Sequence, residues 1–108
     1  MYDELKADLL ENGLIPMAEY EWATRPAGDW GVFQQDFEAD ADEGDDCRYG
    51  IAMEGSADLY TKGRKPLIWA AIEGILTRHC GTCWRLNLET VDSETKLLHR
   101  EYVFQTEE

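Results

Sequence analysis

The stretch "YGIAMEGSADLY", residues 49–60, decides the fold class. Ile51, Met53, Gly55, Ala57 and Leu59 fall on one side of an extended chain, and Glu54, Ser56 and Asp58 on the other. Apolar residues at a period of two are the pattern of a half-buried strand. Just upstream, "WGVFQQDFEA" (30–39) alternates in the same way, with Gly31, Phe33, Gln35 and Phe37 against Asp36 and Glu38. The segment between these runs is therefore read as the tip of a long β-hairpin.

That segment is unusually acidic. Asp36, Glu38, Asp40, Asp42, Glu43, Asp45 and Asp46 make seven of the eleven residues from Asp36 to Asp46. A calcium loop of the EF-hand kind needs oxygen ligands at fixed places, a glycine at the sixth and a glutamate at the twelfth. Asp40 and Asp42 fit the first two places. Gly44 then stands where a ligand belongs, Asp45 where the glycine belongs and Ile51 where the glutamate belongs. The reading is a solvated acidic hairpin tip.

Outward from the hairpin, "MAEYEWAT" (17–24) alternates as a further strand, with Ala18, Tyr20, Trp22 and Thr24 on one face. "RPAGD" (25–29) is turn chemistry. Residues 2–12 read as an amphipathic helix with Tyr2, Leu5, Leu9 and Leu10 on one face, Asp3 as its N-cap and Gly13 as its stop. Beyond the hairpin, "KPLIWAAIEGILTRHC" switches to the helical period. Ile68, Ala71, Ile72, Ile75 and Leu76 share a face, Pro66 suits the first turn, and Ala71 and Gly74 are small enough for close packing on a sheet. "WRLNLETV" (84–91) and "KLLHREYVFQ" (96–105) come next as two more strands. The order α-β-β-β-α-β-β, without a repeat or linker, predicts one α+β domain over residues 1–108. Its sheet is mainly antiparallel and both helices lie on one face.

The chain has 108 residues, 44% of them hydrophobic, and its twelve aromatics suffice for a real core. Net charge is −13; the acidic stretch supplies seven of these charges and leaves about −6, ordinary for a soluble domain. Gripping phosphate requires clustered Lys and Arg, so direct nucleic-acid binding is not expected. "MYDELKADLL" is charged throughout and predicts no secretory signal. No run approaches the roughly 20 apolar residues that span a bilayer, so no membrane partner is expected. An odd count of three cysteines fits a reducing cytoplasm.

"HCGTCW" (79–84) carries a C-x-x-C pair, Cys80 and Cys83. A redox pair of the thioredoxin kind sits at a helix N-terminus, whereas this one comes after a helix, where the dipole opposes a thiolate. Structural zinc needs four ligands; only His79, Cys47 and His99 could join the pair. The preferred reading is two small buried residues in a turn, with no metal and no cofactor. No nucleophile constellation and no phosphate loop is present, so no enzyme is expected. Lys62, Arg64 and Lys65 in "KGRKP" form the densest basic cluster. They are either a solvated turn or a contact for the acidic hairpin of a neighbouring copy, a heterologous contact of the kind that closes rings.

The N-terminal helix, the strand meander with its long second hairpin, "SADLYTKG" leading into "KPLIWAAIEGIL", and the closing hairpin "REYVFQTEE" give the chain a resemblance to a known family. It is similar to the tail-terminator (tail-completion) and head–tail joining proteins of long-tailed bacteriophages, including prophage copies. The resemblance implies a virion structural protein, made in the bacterial cytoplasm and ending in the virion tail. It would form a homohexameric ring that caps the tail tube, meets the tube protein and the head–tail connector, and lets DNA slide past an acidic lumen. It implies no catalytic residues. Two other classes compete: a small acidic phage-encoded mimic of DNA that inhibits a host DNA-binding enzyme, and a cytosolic module built on Cys80 and Cys83.

Overall fold

The computed structural model describes residues 2–38 and 52–107. The element order is α1 (Tyr2–Asn12), β1 (Met17–Glu19), β2 (Trp30–Glu38), β3 (Ala52–Thr61), α2 (Pro66–Cys80), β4 (Trp84–Val91) and β5 (Leu98–Glu107). This is the α+β order read from the sequence. The five strands form one sheet in the order β1-β2-β3-β5-β4. From β3 the chain crosses through α2 to the outer edge, lays down β4, and returns as β5 between β3 and β4.

The alternation of β3 sets the core. Ala57 and Leu59 are fully buried, and so are Phe33 on β2 and Tyr102 on β5; Phe104 is nearly so. Leu5 and Leu9 of α1, one turn apart, and Trp69, Ile72, Ile75 and Leu76 of α2 close over them from one side. Each buried leucine, isoleucine or phenylalanine side chain contributes about 1.5–3 kcal/mol. Gly55 lies opposite Gln35 and Phe104. A Cβ there would stand 2.4 Å from the Gln34 carbonyl oxygen and 2.7 Å from the Phe104 ring. Only glycine lets that ring lie on the β3 backbone.

Several local expectations are corrected. The strand read over 17–24 stops at Glu19 and pairs in parallel with β2, Met17 opposite Gly31, so the first three strands are not a meander. The cause is Tyr20, which takes φ 70° while the Glu21 N–H folds back onto the Glu19 carbonyl at 2.9 Å. Asp3 sits in the first turn of α1, which begins at Tyr2, and is not its cap. Gly74 does not pack on the sheet: it is exposed, and a Cβ there would meet nothing within 4 Å. Alternation is also interrupted twice. The register shifts between Gln35 and Phe37, which puts Phe37 opposite Glu54. It shifts again between Leu86 and Leu88, so Leu86 pairs with Tyr102 and Leu88 with Glu101. These are β-bulges, with one extra residue on one strand that reverses the facing of the residues beyond it. Leu88 therefore faces away from Trp84 and Leu86.

Candidate functional site

Both helices lie on one side of the sheet, so the other side carries the second set of β-strand side chains. Trp30, Tyr60 and His99 are register neighbours on β2, β3 and β5. Their rings stack in a row: Trp30 and Tyr60 at 4.2 Å between centroids and 16° between planes, Tyr60 and His99 at 4.4 Å and 8°. The Arg25 guanidinium extends the row, 5.3 Å from the Trp30 ring centre. Because the rings face one another, their flat surfaces are used within the row and are not offered as a platform for nucleic-acid bases.

Two residues before Tyr60 on β3, the Asp58 carboxylate hydrogen-bonds His99 Nε2 at 2.7 Å. Asp58 stands between Val32 and Glu101 in register. Burial pushes its carboxyl above the usual value, and the negative charges of Glu101 and Asp36 add to this against the opposing pull of His99. Burial and the nearby Asp58 charge likewise raise the Tyr60 hydroxyl.

Beside this row, at the β1 edge, Tyr20, Glu21, Trp22, Arg25, Trp30 and Val32 line a pocket. An i→i+2 hydrogen bond around a positive φ is the rarer, strained form of γ-turn, and a bulky residue at its centre is an outlier. Tyr20 occupies that centre, held by its own N–H on the Phe33 carbonyl at 2.8 Å. Its side chain is exposed at the pocket. Trp22 is fixed by its indole N–H, which donates to the Gly31 carbonyl at 3.0 Å. Arg25 lies against Trp30 in the same pocket, which thus pairs aromatic walls with a guanidinium. The alternation of "MAEYEWAT" hid this site, because the residues that look like a strand face belong to a turn.

A second polar cluster lies between α2 and the sheet. Arg100 on β5 bonds the Tyr102 hydroxyl through Nε at 3.1 Å and pairs with Glu89 and with Glu73. Tyr102 donates to Glu73 at 2.6 Å. The Trp69 ring covers the Arg100 guanidinium at 4.1 Å, and Arg64 lies 5.2 Å from the same ring. Burial opposes charge on Arg100, but the bonds to Tyr102 and Glu89 outweigh it and raise its pKa. This cluster anchors α2 to the sheet.

Most of the described residues singled out from the sequence are engaged within the fold. Cys80 and Cys83 are buried and form no disulfide. His79 is committed to Asp8 at 2.8 Å, clamping α2 to α1 beside Arg78. Among the described residues no three metal-ligating side chains come together, and Cys47 lies outside the described residues. In the basic turn, Lys65 pairs with Asp29 at 2.8 Å, and the Lys62 backbone N–H donates to the same carboxylate at 2.8 Å. Burial opposes ionisation of Asp29, yet these partners hold its carboxyl below the usual value. Arg64 is spent on Trp69, and the Lys62 side chain is exposed. At the hairpin, Asp36 accepts a hydrogen bond from the Gln34 amide and Glu38 is opposite Met53. Asp40, Asp42, Glu43, Asp45 and Asp46 lie outside the described residues. Among the described residues no helix is long and apolar enough to cross a membrane.

Compared with known proteins, the chain matches no family model, and no curated protein is similar enough to count as a relative.

Proposed function

We propose that the chain is a non-catalytic structural protein of a long-tailed bacteriophage or prophage, one subunit of a hexameric ring that ends the tail tube and joins it to the head. The observation that carries this reading is the unlikeness of the two sheet edges. One edge is the three-residue β1 leading into the Tyr20–Trp22–Arg25 pocket. The other is the eight-residue β4, open on one side, with Leu86, Leu88 and Val91 all 40% exposed or more. An open edge strand that exposes apolar side chains, here between Arg85, Asn87 and Glu89, invites another chain. A two-fold dimer uses one patch twice, whereas two different patches in one subunit make the head-to-tail contact that closes rings. The resemblance in element order points the same way.

In this reading the subunit assembles in the bacterial cytoplasm and ends in the virion tail, touching tube protein below and head–tail connector above. The net charge of −13 keeps passing DNA from adhering, since phosphates are repelled and no counterions are released on contact. Asp58 and its register neighbour Glu101 carry acidity onto the open sheet face, and Asp36 is near enough to act on Asp58. That acidity also favours the DNA-mimic reading, although Arg25 beside the row interrupts it.

Light scattering on the purified chain, with and without polymerising tube protein, tests the proposal. A six-subunit species, or capping that limits tube length, is the expected result. A monomer that neither binds nor caps tubes overturns it, and inhibition of a DNA-binding enzyme by that monomer would establish the mimic.

A further inference from the structure

Cys80 and Cys83 close the connection from α2 to β4. Between them Gly81 takes φ 62° and ψ −120°, and the Cys83 N–H donates to the Cys80 carbonyl at 2.9 Å. These are the first central dihedrals and the closing bond of a type II′ β-turn, with glycine where φ must be positive. The ends of such a turn lie within about 7 Å between Cα atoms, and a disulfide spans about 4.4–6.8 Å. Both ends are pinned. The Gly81 N–H donates to the Thr77 carbonyl at 2.9 Å, and the Cys83 carbonyl accepts from the Gln105 N–H at 2.9 Å. Both side chains belong to the same buried cluster, 2% and 4% exposed.

We propose that Cys80 and Cys83 are a dithiol that closes into a disulfide across this turn when the protein meets a small disulfide oxidant such as oxidised glutathione. Cys83 is the entering thiol, since it lines a surface cleft with Thr82, Trp84 and Arg85. Cys80 ends a helix whose dipole disfavours its thiolate. The Cys83 thiol gives its proton to water, and its thiolate attacks one glutathione sulfur. A protein–glutathione disulfide forms and one glutathione thiolate leaves. Cys80 then loses its proton and attacks Cys83 Sγ, which forms the Cys80–Cys83 bond and expels the second glutathione thiolate. The protein loses two protons and two electrons, and the oxidant, gaining both, becomes two thiols. Closure fastens the end of α2 to the start of β4. The inference rests on the turn geometry and not on the proposed ring, and it holds for any role that takes the protein from a reducing to an oxidising medium.

The test uses the full chain carrying Cys47→Ser, so that no third thiol competes. The folded protein is treated with oxidised glutathione, quenched in acid, alkylated and weighed by mass spectrometry. Expected are the loss of two hydrogens, no alkylation of Cys80 or Cys83, unchanged circular dichroism and full reversal by dithiothreitol. Adding Cys80→Ser is expected to arrest the reaction as a glutathione adduct on Cys83. A C47S chain that keeps a stable glutathione adduct overturns the proposal. So does one that stays a dithiol at an oxidant level that closes the urea-unfolded chain. Neither outcome depends on whether the second variant folds, or on whether the chain forms rings.

Discussion

The Tyr102 hydroxyl donates to Glu73 at 2.6 Å, joining the middle of β5 to the middle of α2. Burial and the Glu73 charge both raise the Tyr102 pKa, so the phenol keeps its proton and remains a donor across the physiological range. Arg100 completes the link by donating to the same hydroxyl at 3.0 Å. Tyr102→Phe keeps the ring, which is fully buried, and removes only the hydroxyl. It leaves Glu73 and Arg100 each short of a partner, a cost of about 1–3 kcal/mol. Urea unfolding should show the lower midpoint with an unchanged slope. A loss below about 0.5 kcal/mol would mean that water replaces the hydroxyl without penalty.

Gly55 and Gly74 should respond in opposite directions to the same substitution. A Cβ at Gly55 collides with the Gln34 carbonyl oxygen, which is backbone and cannot move aside. Gly55→Ala is expected to cost about 1–3 kcal/mol, as overpacking does. Gly74 is exposed in the interior of α2 with open space around it. Gly74→Ala should stabilise by about 0.5–1 kcal/mol, because alanine restricts the unfolded chain and suits the helix. Thermal melts of the two variants check both signs.

These glycines also show where the sequence could be read and where it could not. Strands and helices announced themselves through periods of two and 3.6, which arise from local geometry alone, so their order and type were legible. Gly55 and Gly74 differ in a way that no local pattern records. Which one touches a neighbour depends on partners far along the chain, Phe104 in the case of Gly55. The bulges after Gln35 and Leu86 leave no local mark, so Leu88 changed faces unannounced. Tyr20 misled for a different reason: its γ-turn opposes its own backbone preference and is held by Phe33, on the neighbouring strand. Arg100 reads as an interruption in the pattern of β5, and only the packed fold supplies Glu73, Glu89 and Trp69 around it.

Acid should change stability in two opposite steps. Asp58 is raised by burial, so the folded protein binds its proton more tightly than the unfolded chain. Its contribution grows as pH falls from the raised value towards about 4, the unfolded carboxylate value. Four other carboxylates of the described residues are lowered, among them Asp92 by its hydrogen bonds from Thr95. Glu19 is held down by Lys6 and then Tyr2; Asp8 and Asp29 are held down by their donors despite burial. Their stabilisation is complete above about pH 4 and is lost as pH falls through their lower folded values. Stability should therefore pass through a maximum on the acid side of neutrality. Asp58→Asn should abolish the rise towards that maximum and leave the fall below about pH 4 unchanged. Urea midpoints measured from about pH 3 to about pH 8 decide this; a variant that keeps the rise assigns it to another group.

Two surfaces compete to make the proposed ring contact, the basic turn before α2 and the β4 edge. Charge reversal across the whole basic turn would be a poor probe, because Lys65 holds Asp29 and Arg64 lies against Trp69. Lys62→Glu alone changes an exposed side chain and leaves its backbone bond to Asp29 in place. Leu88 and Val91, at 42% and 61% exposure on the open β4 edge, are the sharper targets. A lysine on an edge strand is a common natural guard against pairing with another chain. Leu88→Lys with Val91→Lys should leave the unfolding free energy within about 0.5 kcal/mol per site, because neither residue belongs to the core. If β4 forms the contact, light scattering should report subunits where the parent forms rings. If the double variant still assembles while Lys62→Glu does not, the contact runs through the turn before α2 and β4 faces solvent in the ring.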